Sequence, residues 1–218
     1  MTIMDLLSDQ NRISEREEKI LSASFDLFTT HGIEEVSMET IAEKTKTSSE
    51  ELYRMFTSKP MLTVRIATWA WQKRMEDVLP SLLKPKYTNA KGYEQLEVIF
   101  SLFVKLYEKN TEFLRYIYLF DSYAVKEQIP KASMVQYEAV ILLVKQIISE
   151  AIEKGISDGS INEKYTKYGE LLYFTLMHTF FSAAQKLSLS GKMLDMDSKM
   201  NGSIQLTLLS NILLEGLK

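Results

Sequence analysis

The sequence predicts an all-α protein, and three observations lead to that prediction. Glycine and proline are scarce, with eight and four residues in a chain of 218. Apolar residues recur at helical spacing along most of the chain, which is typical of helices packed against a core. Serines with helix-capping chemistry precede several of these apolar runs.

The first helix is predicted to begin after Ser14. Ser14 and Glu17 have the spacing of a capping box, in which the serine hydroxyl accepts a hydrogen bond from the amide three residues on. Phe25 and Phe28 follow at helical spacing. Gly32 supplies the C-cap glycine at which many helices end.

Residues 33–62 predict two short helices that meet at a tight turn, followed by the start of a third. Ser37 suits the N-cap of the first short helix, and Ser48 with Glu51 opens the second. Pro60 fits the first turn of the third helix, because its missing amide costs nothing there. Two short helices around a tight turn are the signature of a helix-turn-helix.

A set of residues between Ile20 and Leu62 is more specific than any one of these motifs. The set is Ile20, Ala23, Phe28, Gly32, Ser37, Ile41, Ala42, Ser48, Leu52, Tyr53, Phe56, Ser58, Lys59 and Leu62. With these residues the chain resembles the N-terminal domain of TetR-family transcriptional regulators. The resemblance implies an N-terminal arm over residues 1–13 and a helix-turn-helix DNA-binding domain over residues 14–62. A helical regulatory domain, for ligand binding and dimerisation, then covers residues 63–218.

The resemblance also implies which residues contact DNA. They are Ser37, Thr40, Lys46, Thr47, Ser48, Ser49, Tyr53, Arg54 and Lys59. The chain departs from the family pattern in the turn, where Lys46 replaces the usual glycine, and at the start of the recognition helix, where Glu50 and Glu51 lie. We expect the Glu51 side chain to fold back on the Ser48 amide. Glu50 is expected to face solvent or DNA, where it either reads a cytosine amino group or weakens binding.

The predicted DNA-binding region is acidic. Residues 1–62 contain seven Lys/Arg and twelve Asp/Glu, a net charge of −5. A DNA-binding module is expected to be basic, because phosphate neutralisation supplies much of its affinity. Most of these acids lie in first turns, however, where they complement helix dipoles. Lys46, Arg54 and Lys59 lie in or beside the reading helix, so we expect local charge to permit DNA binding.

The rest of the chain predicts further helices with regular apolar spacing. A long helix from Lys59 is expected to close at Pro80 and Pro85, with a loop over residues 85–92. Later helices are predicted near residues 96–107, 113–123, 134–151, 163–189 and 198–217. Gly155 is expected to end the helix over residues 134–151 in a Schellman-type cap.

The last helix is apolar on nearly every side, so it must be covered on two faces. A second copy of the chain is the natural cover, and the resemblance implies an isologous interface formed by the last two helices of each copy. The residues expected there are Phe181, Ile204, Leu208 and Ile212. The alternative is a monomer with one large core.

Aromatic residues recur in the predicted regulatory domain. They predict an apolar ligand cavity between helices, because the family that the chain resembles generally has one there. The residues expected to line it are Trp71, Met75, Phe100, Phe103, Tyr107, Tyr116, Phe120, Tyr137, Met177 and His178. The alternative for any one of them is an ordinary core position, and for His178 a satisfied interior histidine.

Several classes of chemistry are disfavoured. No cysteine is present, which removes disulfides, thiolate nucleophiles and cysteine-based zinc sites. The two histidines, His31 and His178, lie in no catalytic or metal-binding motif. We therefore expect no catalysis, cofactor or metal.

The sequence also suggests a location. Its first ten residues lack the charged and apolar regions of a signal peptide. The longest apolar stretch, residues 171–184, is shorter than the roughly 20 residues of a membrane span. We expect a cytoplasmic protein without a membrane partner.

Taken together, the motifs and the resemblance predict a DNA-binding transcriptional regulator. We expect a ligand-responsive repressor of the TetR family that binds a palindromic operator as a homodimer, with a small apolar or aromatic molecule as ligand. The alternative is a helical ligand-binding or protein-interaction dimer of the same fold that binds DNA weakly or not at all. The acidic residues 1–62 support that alternative.

Overall fold

The computed structural model describes residues 13–190 and 193–218, except for the side chain of Ser198. Within these ranges the chain forms helices and turns without any strand, so the all-α prediction is confirmed. The α-helices are α1 (Glu15–His31), α2 (Met38–Thr45), α3 (Ser49–Phe56), α4 (Lys59–Leu82), α5 (Pro85–Thr88), α6 (Gly92–Lys109), α7 (Thr111–Lys126), α8 (Val135–Ser157), α9 (Glu170–Ser190), α10 (Asp195–Ser198) and α11 (Gly202–Glu215). Two 3₁₀ helices, Lys131–Ser133 and Glu163–Tyr168, lie before α8 and α9.

The chain divides into two compact units. The first contains the described residues up to Lys73 together with Arg115–Leu143, and the second contains Arg74–Leu114 and Val144–Lys218. The helices α4, α7 and α8 therefore contribute residues to both units. The predicted functional boundary between residues 62 and 63 stays a prediction, and all of the predicted arm except residue 13 lies outside the described residues.

The first unit has a core of apolar and aromatic side chains. Phe28 on α1, Ile41 on α2 and Leu52 on α3 are fully buried. Tyr116 on α7 is also buried, and its hydroxyl donates to the Thr63 carbonyl oxygen on α4 at 2.8 Å. This hydrogen bond satisfies a polar group that would otherwise be costly to bury.

In the second unit, α11 packs against α6 and α9. At Gly202, the first residue of α11, a side chain would collide with the Tyr107 ring on α6. At Gly92, a side chain would collide with the backbone of α8 at Gly155. Glycine is required at Gly92 and Gly202 because only a residue without a Cβ permits these approaches.

Two predictions about where helices and loops lie were wrong. The helix α8 continues through Gly155 to Ser157, because Gly155 serves close packing and does not act as a cap. The predicted loop over residues 85–92 contains the short helix α5. The helix α4, by contrast, ends at Leu82, between Pro80 and Pro85, as predicted.

The last two predicted helices are each divided. The segment from Glu163 begins as a 3₁₀ helix, and α9 starts only after Gly169, which has a φ of 49°. The final segment is interrupted before Asn201, whose side-chain oxygen caps α11 by accepting from the amides of Ser203 and Ile204. Local capping chemistry therefore decides where α11 begins.

Candidate nucleic-acid interface

Serine hydroxyls cap the three N-terminal helices, as the sequence predicts. Ser14 accepts from the Glu17 amide at 3.1 Å, and Ser37 accepts from the Thr40 amide at 3.1 Å. Ser48 accepts from the Glu51 amide at 3.2 Å, at the start of α3. Each cap satisfies an amide that lacks a partner within its helix, which fixes where α1, α2 and α3 begin.

The turn between α2 and α3 depends on a left-handed residue. Lys46 has φ 53° and ψ 41°, and the Thr47 amide donates to the Ala42 carbonyl oxygen at 3.0 Å. Glycine adopts this conformation freely, whereas a residue with a Cβ loses about 1–2 kcal/mol. Lys46 therefore takes a conformation that favours glycine, and it adds an exposed positive charge to the turn.

The helix α3 has a buried face and an exposed face. Leu52 and Phe56 are buried, which confirms the predicted inner face. Tyr53 is 45% exposed, and the Arg54 side chain is 79% exposed. A short helix anchored by two apolar residues thus presents an aromatic and a basic side chain to solvent, which suits contact with a DNA groove.

The prediction for the Glu51 side chain was wrong. Its carboxylate lies 2.5 Å from the Arg16 guanidinium on α1 and 3.9 Å from that of Arg54, instead of folding back on the Ser48 amide. A pair of full charges forms a stronger hydrogen bond than a carboxylate with a neutral amide. Glu51 is thereby neutralised, and Glu50 is left exposed at the start of α3.

The remaining predicted DNA contacts differ in exposure. Thr40 is exposed and Ser49 is half-buried, whereas Thr47 is buried and its hydroxyl donates to the Thr45 carbonyl oxygen at 3.4 Å. The Lys59 ammonium donates to the Glu34 carbonyl oxygen at 3.0 Å, and burial lowers the pKa of Lys59. Thr40, Lys46, Tyr53 and Arg54 are therefore exposed, as are the capping residues Ser37 and Ser48, and all nine contacts stay predictions.

Ion pairs explain the acidic charge of residues 1–62. Glu17 pairs with Arg65 at 2.8 Å and Glu18 pairs with Lys73 at 2.9 Å. Arg65 and Lys73 lie beyond residue 62, so the net charge of residues 1–62 does not include these two positive charges. The pairing of Arg16 with Glu51 was also not predicted from the sequence. The spacing of these pairs along the chain carries no signal of their contact.

Glu34, in the loop before α2, pairs with Lys126 at 3.3 Å. A backbone hydrogen bond and then the Lys126 side chain hold the pKa of Glu34 below its ordinary value. Both side chains remain about half exposed, so the pair contributes little to stability.

The predicted ligand residues fall into both units. Trp71, Tyr116, Phe120 and Tyr137 belong to the first unit, whereas Met75, Phe100, Phe103, Tyr107, Met177 and His178 belong to the second. In the first unit the rings of Phe120 and Tyr137 lie 5.2 Å apart. Burial raises the pKa of Tyr116 and of Tyr137, so both hydroxyls stay protonated.

In the second unit, Phe180 joins the predicted group. Its ring lies 5.0 Å from Phe100 and 6.1 Å from Phe103. Phe180 was not among the predicted ligand residues, although it lies three residues after Met177, at helical spacing. His178 lies on the exposed side of α9, with its ring 5.5 Å from Phe174, which corrects the expectation of an interior position.

Some buried polar atoms have no hydrogen-bond partner among the described residues. They are Ser24 Oγ and Trp69 Nε1 in the first unit and Gln185 Nε2 in the second. A buried polar group without a partner costs about 1–3 kcal/mol, so such atoms mark places where a bound molecule can be recognised.

The predicted dimer residues lie mainly on an exposed face. Ile204, Leu208 and Ile212 of α11 are 67%, 59% and 61% exposed, whereas Leu206 and Leu214 on its other side are buried. Phe181 on α9 is half-buried. The helix α11 therefore covers one apolar face within its own chain and leaves the other uncovered.

Comparison with known proteins decides what the N-terminal geometry represents. Residues 20–65 match the family model for bacterial regulatory proteins of the tetR family, and this segment contains the Ser37 and Ser48 caps, the left-handed turn and α3. The chain therefore carries a DNA-binding domain of the tetR type at its N-terminus. It is a DNA-binding regulator with a helix-turn-helix domain. No curated protein matches its full sequence.

Solved structures of TetR-family regulators share the fold. FadR, a fatty acid degradation regulator from Bacillus halodurans, is 12% identical with a TM-score of 0.71, covering 95% of this chain and 99% of its own. FadR from Bacillus subtilis in complex with stearoyl-CoA is 14% identical with a TM-score of 0.66, covering 92% and 99%. FadR from Thermus thermophilus in complex with lauroyl-CoA is 20% identical with a TM-score of 0.59, covering 94% and 95%. At these identities the likeness concerns the fold.

No helix of the described part of the chain is long and apolar enough to cross a membrane. The family and the fold point to a regulator.

Proposed function

We propose that this regulator is a ligand-responsive repressor that binds a palindromic operator as a cytoplasmic homodimer and has no catalytic activity. The observation that carries the proposal is the face of α3, where Tyr53 and Arg54 are exposed opposite the buried Leu52 and Phe56. Serine caps fix the start of this helix, so its exposed side chains are presented on a rigid element.

The DNA contacts follow from this presentation. In helix-turn-helix proteins the recognition helix lies in the major groove, and the preceding helix crosses the backbone. Arg54 and Tyr53 then face base edges or phosphates, and Lys46 and Thr40 face the backbone. Because Arg16 neutralises Glu51, one of the two carboxylates that opposed the proposal no longer repels phosphate.

Dimerisation supplies the second reading helix. The exposed apolar residues Ile204, Leu208 and Ile212 form one face of α11, and Leu171 and Phe174 are exposed on α9. Covering such side chains removes apolar surface from water, which is the main favourable term in association. A two-fold arrangement in which each face meets its own copy closes the assembly.

The ligand is proposed to be an apolar molecule of the acyl class. Two solved structures of the same fold contain stearoyl-CoA and lauroyl-CoA. In the second unit of this chain Phe100 and Met177 are buried, and the Phe180 ring packs against Phe100, which provides apolar surface that suits an acyl chain. In the same unit Gln185 Nε2 is a buried donor without a partner among the described residues, which suits the polar end of such a molecule.

The helix α4 is proposed to carry the signal. It begins at Lys59, directly after α3, and further along it bears the predicted ligand residues Trp71 and Met75. Ligand binding that reorients α4 changes the separation of the two α3 helices. Operator half-sites require that separation to be near one helical turn, about 34–36 Å, so a modest change releases DNA.

Gel-shift experiments with the DNA that flanks its own gene test this function. We expect a retarded complex at low salt that dissociates when lauroyl-CoA is added. Coenzyme A alone is the matched control, because it lacks the acyl chain, and it should leave the complex intact. Absence of any complex at low salt overturns the DNA-reading proposal in favour of the ligand-binding dimer. A complex that no acyl-CoA dissociates overturns the proposed ligand class.

A further inference from the structure

The second unit contains a cluster of exposed methionines between α9 and α11. Met193, Met196 and Met200 are 69%, 70% and 64% exposed. The buried methionines Met38 and Met75, by contrast, are 3% and 4% exposed. Every other described methionine is buried or half-buried, so exposed thioethers in the described chain are concentrated within eight residues.

Exposure of an apolar thioether to this extent is unusual, and it matters chemically because the chain contains no cysteine. The chain has no cysteine, so sulfur-based redox chemistry falls entirely to its 11 methionines. An oxidant in solution reacts first with the sulfur atoms that it can reach, and the product is a polar, chiral sulfoxide.

We infer that Met193, Met196 and Met200 form a methionine-oxidation site whose modification weakens pairing of the two copies. The oxidant class is peroxide. One oxygen atom of hydrogen peroxide is transferred to the thioether sulfur, which is oxidised by two electrons, and the peroxide is reduced to water. The reaction is reversible by thiol-dependent reduction of the sulfoxide.

The effect on pairing follows from the position of Met200. It directly precedes Asn201, whose side chain caps α11, and Gly202, which fits against Tyr107. These two residues fix where α11 begins. Met200 therefore lies just before the helix whose exposed apolar face includes Ile204. A sulfoxide at Met200 introduces a strong hydrogen-bond acceptor at the edge of an apolar contact, which is costly when water is excluded.

This inference rests on the proposed dimer through α11. The oxidant reaches the three sulfurs in the single chain, so oxidation competes with pairing. A chain oxidised at these positions pairs more weakly, and a single helix-turn-helix cannot span a palindromic operator.

The first test is peptide mapping by mass spectrometry after brief treatment of the full chain with hydrogen peroxide. We expect Met193, Met196 and Met200 to be oxidised at least about tenfold faster than Met38 and Met75. Equal rates at exposed and buried methionines overturn the site.

The second test measures the dimer dissociation constant by sedimentation before and after the same treatment. We expect oxidation to raise it by about tenfold or more in the wild type. The variant with Met193→Leu, Met196→Leu and Met200→Leu is the control, and its dissociation constant should not change. An unchanged constant in the oxidised wild type overturns the inference. A wild type that is already monomeric before oxidation overturns the proposed dimer instead, so the two failures are distinguishable.

Discussion

The helices α3 and α11 differ in what their exposed faces require. The helix α3 buries Leu52 and Phe56 and exposes Tyr53 and Arg54, so its outer face suits a polar, charged partner. The helix α11 buries Leu206 and Leu214 but still exposes apolar residues such as Leu208 on its other side. An amphipathic helix buries its one apolar face within its own chain. A helix that is apolar on both sides needs a second apolar surface to cover the face that its own chain leaves exposed. The first is proposed to read DNA and the second to pair two copies.

The largest expected effect is loss of pairing in Leu208→Glu. A carboxylate in a buried apolar contact costs several kcal/mol, because the charge loses water and gains no partner. Sedimentation should therefore find a monomer or an aggregate where the wild type is a dimer. Leu83→Glu is the matched control, since Leu83 is 54% exposed in the same unit but lies outside α9 and α11. Loss of the dimer in both variants, or in neither, contradicts the interface.

The next effect is on DNA binding by α3. Arg54→Ala should reduce operator affinity by about 1–3 kcal/mol if the guanidinium contacts a base. If it contacts phosphate, the slope of log affinity against log salt should fall by about one. Fluorescence anisotropy over a salt series measures both. Lys86→Ala removes an exposed cation from α5 as a control, and an identical response of the two variants rejects a specific role for Arg54.

Glu50→Lys sharpens the charge argument at the start of α3. Because Glu51 is paired with Arg16, Glu50 is the carboxylate left to repel phosphate. The variant should bind every DNA sequence more tightly, with a steeper salt dependence.

Glu112→Lys, in the exposed first turn of α7, controls for the change in net charge and in helix-dipole complementarity. A fall in specific affinity of roughly 1–3 kcal/mol in Glu50→Lys, with a rise in non-specific binding, indicates instead that Glu50 reads a cytosine.

The smallest expected effect is that of Lys46→Gly, which separates the role of Lys46 in the turn from its role in DNA binding. Lys46→Gly should stabilise the fold by about 0.5–1 kcal/mol, because relief of the left-handed strain exceeds the added flexibility of glycine. Gln128 has a similar φ of 51°, so Gln128→Gly is the matched control for stability. Denaturant unfolding should find both variants stabilised, and only Lys46→Gly should lose DNA affinity. Equal affinity in both variants indicates that Lys46 acts through the turn alone.

The sequence predicted most of α1–α3 because their determinants are local. Ser14, Ser37 and Ser48 each act on an amide three residues away, so spacing alone identifies the caps. Contacts between distant residues were missed. Arg16 and Glu51 are 35 residues apart, and nothing in their spacing indicates that they meet.

The same distinction explains the errors in the second unit. Gly155 has the residue type and position of a C-cap, and only its close approach to Gly92 reveals that it packs inside a helix. His178 lies in an apolar stretch that suggests burial, although its own side of α9 is exposed. Burial depends on which neighbours cover a face, and a single sequence does not specify them when one neighbour is a second copy.

The central claim is that two α3 helices, held at a fixed separation by pairing through α11, read one palindromic operator. The most direct measurement is a binding titration of the operator and of a version with about five base pairs inserted between its half-sites, which is half a helical turn. We predict two chains bound per operator and loss of specific binding to the lengthened site. One chain per operator, or equal affinity for both sites, contradicts the claim.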